Sequence, residues 1–98
     1  MDRDAILARL RAGEQELRAR GVAHAALFGS RARGDNRPDS DVDILIEIAP
    51  GAQIGLFQYA EIVRVIEDMF PLPVDVSNRA AQRPFLRAGV QRGAVYGF

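Results

Sequence analysis

The sequence predicts an α/β (α+β) fold, a small mixed β-sheet with helices packed on it. Three observations carry that prediction. Segments with helical and strand periodicity alternate along the chain in the order α-β-loop-β-α-β-α. Residues 41–48 alternate with period two between apolar and mostly acidic side chains. The 98 residues, 48% of them hydrophobic, suffice for one modest core and hence for a single domain over 1–98.

Each element has its own signal. The first twenty residues read as one helix, with Asp2 or Asp4 capping its start and Ile6, Leu7, Leu10 and Leu17 near one stripe. Gly13 weakens it, and Gly21 supplies a stop. Residues 22–28 form a short apolar strand that ends at Gly29-Ser30. Residues 31–40 carry Gly34, Asp35, Asn36 and Pro38, which predicts a loop entered through a turn of helix. On the strand 41–48, Val42, Ile44, Ile46 and Ile48 take one face, and Asp41, Asp43, Leu45 and Glu47 the other. Pro50-Gly51 breaks it. A second main helix is predicted over 56–70, with Leu56, Phe57, Ala60, Val63, Ile66 and Phe70 as its buried stripe and Pro71 and Pro73 beyond it. Residues 73–77 read as a third strand, Val74 and Val76 pointing one way and Asp75 the other. Residues 83–92 read as a final short helix, with Pro84 in its first turn.

Composition removes several function classes. The absence of cysteine excludes disulfide scaffolds, thiolate zinc sites and cysteine nucleophiles. His24 is the only histidine, so no histidine metal site can form, and its place on a strand suggests a structural role. No apolar run approaches the roughly 20 residues of a membrane helix, and no secretion signal is visible, so the expected compartment is the cytoplasm. The net charge of zero hides segregation: residues 1–40 are slightly basic, 41–75 strongly acidic and 76–98 basic. All thirteen cations are arginine. Arg79, Arg83, Arg87 and Arg92 supply the basic end; a solvated helix face explains them more simply than a nucleic-acid patch. Direct nucleic-acid binding is not expected.

The chemistry concentrates between Gly29 and Asp43. Two residues apart on a strand, Asp41 and Asp43 send their carboxylates off one face, with Cα atoms about 6.6–6.8 Å apart. Such a pair can converge on one divalent ion or bridge two, and hard oxygen ligands suit Mg²⁺ or Mn²⁺. Asp75 offers a third carboxylate from another strand, and three such charges would repel without a cation between them. Gly29-Ser30, at a strand end, lets a ligand approach the backbone, and the N–H groups and the Ser30 hydroxyl can hold phosphate oxygens. Arg31 and Arg33, just beyond, are candidate phosphate or partner contacts.

Separately these features are common. Together, Gly-Ser, ten residues, Asp-x-Asp and a later Asp between apolar strand residues resemble the DNA polymerase beta-like nucleotidyltransferase superfamily. Gly-Ser-Arg-Ala-Arg-Gly (29–34) and the short length look like its minimal nucleotidyltransferases, antitoxins paired with HEPN-domain toxins. The resemblance runs from about Ala26 to Ser77. It implies the polymerase beta-like fold, Gly29 and Ser30 as the phosphate-binding turn, Asp41 and Asp43 as the metal-binding pair, and Asp75 as the carboxylate that helps activate the attacking hydroxyl. It further implies ATP as donor, two Mg²⁺ ions, and a tyrosine of a cognate HEPN ribonuclease toxin as acceptor. A single domain would then borrow its acceptor surface from the partner. The alternative is a weakly catalytic or non-catalytic antitoxin that neutralises its partner by stoichiometric binding.

Overall fold

The structure is a computed structural model that describes residues 1–78 and 93–98. Its described elements are α1 (Arg3–Ala12), α2 (Glu14–Ala19), β1 (Val22–Phe28), α3 (Ser30–Arg33), β2 (Val42–Ile48), α4 (Leu56–Glu67), β3 (Val74–Asn78) and β4 (Val95–Tyr96). The expected helix over 83–92, with Arg79, Arg83, Arg87 and Arg92, lies outside the described residues. Among the described residues, no helix is long and apolar enough to cross a membrane.

The sheet order is β3-β2-β1-β4. β1 runs antiparallel to both β2 and β4, and β2 runs parallel to β3, so the sheet is mixed as expected. Val22, Ala25, Leu27, Val42, Ile44 and Ile46 form one face, packed with Ile6, Leu7, Leu10 and Leu17 from α1 and α2 and with Ile62 and Ile66 from α4. The alternation on β2 thus sorts its side chains as its sequence implies.

Local chemistry sets the boundaries. Asp2, not Asp4, caps α1, its carboxylate accepting the Ala5 N–H at 2.8 Å. The expected single N-terminal helix is interrupted at Gly13, which separates α1 from α2. Glycine is a poor helix former, and the interruption falls at the residue expected to weaken the helix.

α4 ends at Glu67, earlier than expected, and turns its other flank to the core. Ile62 and Ile66 are fully buried with Tyr59 and Met69 packed nearby, while Leu56 and Phe57 are 81% and 86% exposed. The expected stripe is therefore right at Ile66 and Phe70 and displaced at Leu56, Phe57 and Ala60. The reason is physical: apolar side chains occur around most of this helix, and only contact with the sheet selects the buried flank.

β4 had no expectation in the sequence. It joins β1 through Ala26↔Tyr96 and Leu27↔Val95, and the Gly97 N–H donates to the Ala25 carbonyl at 2.8 Å. Phe98 lies 5.1 Å beneath the Arg18 guanidinium, and His24 packs edge-on against Tyr96. His24 itself is exposed on β1.

Candidate active site

The face of the sheet opposite the helices carries the candidate chemistry, and strand register assembles it. Asp43 on β2 pairs with Asp75 on the parallel strand β3 and with Phe28 on β1. In such a register, paired residues share a face, so the two carboxylates stand side by side. Asp41 precedes β2 by one residue and is exposed. Pro73, which crowds the entry to β3, leaves this register intact because its carbonyl accepts the Val42 N–H at 2.9 Å.

Gly29 follows β1 and caps α3 with φ 78° and ψ −157°, a conformation essentially confined to glycine. A β-carbon there would also collide with the Asp43 carboxylate. Only glycine satisfies both conditions, and the turn therefore lies directly against Asp43. Ser30 opens α3; the Ala32 and Arg33 N–H groups donate to the Gly29 carbonyl, so the donors at its start are those of Ser30 and Arg31. Gly29, Ser30, Asp43 and Asp75 are thus brought together, and each was singled out in the sequence.

Electrostatics register the crowding. Burial pushes the Asp43 carboxyl above the usual carboxylate value, the negative charges of Asp75 and then Asp41 push it further, and Arg33 pulls it down. The Tyr59 phenol is raised by burial and then by Asp75, so α4 brings a side chain within the field of the site that the sequence did not flag. Its signal was absent because Tyr59 reads as one more apolar position on a crowded helix.

The two arginines separate. Arg33 is exposed, and its Nε donates to Asp35 Oδ2 at 3.2 Å, a solvent-screened pair of little energy. Arg31 departs from the expected phosphate contact. It is 3% exposed, and its guanidinium donates to the main-chain carbonyls of Ser40, Pro38 and Met1.

The donor set suits a hard divalent cation. It consists of carboxylate oxygens alone, and the mutual repulsion felt at Asp43 is what a cation would relieve. Among the described residues, no three acidic or imidazole side chains already stand at ligating distance from a common point. Asp41, Asp43 and Asp75 are therefore on one face but not closed into a shell.

Comparison with known proteins bears on the family and the fold. The family described as Nucleotidyltransferase domain matches residues 10–96. Protein adenylyltransferase MntA of Thermococcus cleftensis is 34% identical over 88 residues, which covers 89% of this chain and 87% of that protein. A solved structure provisionally described as a minimal nucleotidyltransferase superposes with a TM-score of 0.80 at 32% identity, covering 97% of this chain and 95% of the other. A solved toxin–antitoxin with AMP-PNP shares the fold, with a TM-score of 0.69 at 18% identity, covering 90% of this chain and 72% of the other.

Proposed function

The chain belongs to the nucleotidyltransferase domain family, and we propose that it is a protein adenylyltransferase acting as the antitoxin of a cognate HEPN ribonuclease toxin. The proposed reaction transfers AMP from ATP to a tyrosine hydroxyl of the toxin. The tyrosine oxygen bonds to the α-phosphorus as the bond to pyrophosphate breaks, and the hydroxyl proton passes to the Asp75 carboxylate. One observation supports this reading above the others: the Gly29 turn lies against the Asp43 carboxylate, with Asp75 paired beside it. The names of the relatives favour a protein acceptor and an ATP-like donor.

Each residue has a stated part. The Ser30 hydroxyl and the N–H groups at the start of α3 hold phosphate oxygens, and the exposed Arg33 can swing to the triphosphate. Asp41, Asp43 and Asp75 would hold Mg²⁺, two ions in this reading, with Mn²⁺ as a substitute. Divalent ions bound there would lower the pKa of the attacking hydroxyl and neutralise the pyrophosphate. Asp75, exposed on an edge strand, is the carboxylate best placed to meet a hydroxyl arriving from a partner. Toxin and antitoxin would meet in the cytoplasm.

The test incubates the protein with labelled ATP, Mg²⁺ and the HEPN protein encoded beside it. Label should pass to one tyrosine of the toxin, and the Asp41→Asn, Asp43→Asn double variant should transfer about a thousandfold less. No transfer by the wild type would sink the enzymatic reading. Full neutralisation of the toxin by the double variant would favour stoichiometric binding instead.

A further inference from the structure

Arg31 is a buried cation whose acceptors among the described residues are uncharged main-chain carbonyls. Its Nε and Nη2 both donate to the Ser40 carbonyl at 3.0 and 2.7 Å, Nη2 reaches the Pro38 carbonyl at 3.3 Å, and Nη1 donates to the Met1 carbonyl at 3.0 Å. Burying a guanidinium without a carboxylate is costly unless its donors are well used, and here three of its nitrogens are engaged. A planar fork spreads its fixed donors over three nitrogens and so holds three separated carbonyls at once, whereas an ammonium must reach them from a single atom.

The position of these acceptors gives the arrangement its meaning. Arg31 lies two residues after Gly29, within α3, whereas Ser40 immediately precedes Asp41. One side chain therefore ties the phosphate turn to the root of the carboxylate pair, across a polar loop whose few other described hydrogen bonds are local. Those include the Arg37 N–H to Ser40 Oγ at 2.9 Å and the Ser40 N–H to the Arg37 carbonyl at 3.0 Å. A second tether adds to it: Arg3 Nη1 donates to the Ala32 carbonyl at 3.2 Å, so the start of α1 and α3 are held together.

We propose that Arg31 is a positioning residue that fixes the Asp41–Asp43 pair relative to the Gly29-Ser30 turn, with the Met1 carbonyl as its third anchor. The inference rests on the adenylyltransferase reading for its consequence, though not for its geometry. In-line transfer needs the phosphates and the carboxylates held within a fraction of an ångström of each other, and a loop free to move would lose that alignment. Residues that orient metal ligands without touching the metal typically change affinity or activity about 10- to 100-fold when removed.

The experiment compares the full-length wild type with Arg31→Lys, Arg31→Met and Ser40→Ala. Hydrogen exchange of residues 39–42, Mn²⁺ affinity in the presence of ATP, melting temperature, and kcat and KM for labelled transfer are measured on each. Both Arg31 variants should exchange faster at 39–42 while Ile44 and Ile46 stay protected, and should bind Mn²⁺ about 10- to 100-fold more weakly. The loss in transfer should fall on kcat more than on KM for ATP, and Ser40→Ala, which keeps the carbonyl, should change each readout less than about threefold.

A fall in melting temperature with exchange and Mn²⁺ affinity within about twofold of wild type would make Arg31 merely structural and overturn the proposal. So would failure of both Arg31 variants to fold, or a loss in Ser40→Ala equal to that of Arg31→Lys. If the wild type itself transfers no label, the adenylyltransferase reading falls, while the exchange and Mn²⁺ results still decide the role of Arg31.

Discussion

On β2, Ile44 is completely buried against the helices, whereas Asp43, one residue earlier, is half-buried on the opposite face beside Asp75. The two faces use the same backbone and contribute in opposite directions. The covered face gains free energy for every apolar atom withdrawn from water. On the acidic face, burial and then the negative charges of Asp75 and Asp41 raise the Asp43 carboxyl. The acidic face also buries Ala26 and Leu45, so its repulsion is confined to the end of the sheet where Asp43 meets Asp75.

That contrast can be broken most strongly from the covered face. Ile44→Ala should cost about 2–5 kcal/mol in urea or thermal unfolding, with any activity lost only in proportion to unfolded protein. Gly29→Ala comes next, because it sets a side chain in a glycine-only conformation and against the Asp43 carboxylate. It should cost about 1–3 kcal/mol in the same melts and remove most transfer activity from the molecules that remain folded.

Asp43→Asn should act in the other direction on stability, raising the melting temperature at neutral pH. The folded protein raises the Asp43 carboxyl, so it binds that proton more tightly than the unfolded chain does. The contribution is complete below the ordinary value of 3.8 and is lost as the pH rises through the raised one. The gain from Asn should therefore vanish in acid, and melting curves across that range check the sign. Smallest of all, Phe57→Ala should shift stability by less than about 0.5 kcal/mol, because that ring already lies in solvent. Ile62→Ala on the same helix should cost about 2–5 kcal/mol.

Where the sequence was legible, the deciding interaction was local or strictly periodic. Alternation over 41–48 sorted both faces of β2, and Asp75 between Val74 and Val76 was enough to place it on the acidic side. Ile6, Leu7, Leu10 and Leu17 were recognisable as core from their spacing. Long-range contacts hid the rest. β4 has only two residues and exists through its pairing with β1. α4 has apolar residues on too many flanks for spacing to select one. Arg31 illustrates the limit for the site: its residue type suited a phosphate, and only the fold reveals that carbonyls had already claimed its donors.

The parallel pairing of β2 with β3 has one more consequence. A slip of β3 by a single residue would put Asp75 among the aliphatic side chains and bring Val74 or Val76 to the position beside Asp43. Such a molecule would lose its third carboxylate and bury an uncompensated charge in the same move. A one-residue slip therefore gives up core packing and the Asp43–Asp75 juxtaposition together, so the same register serves stability and the site.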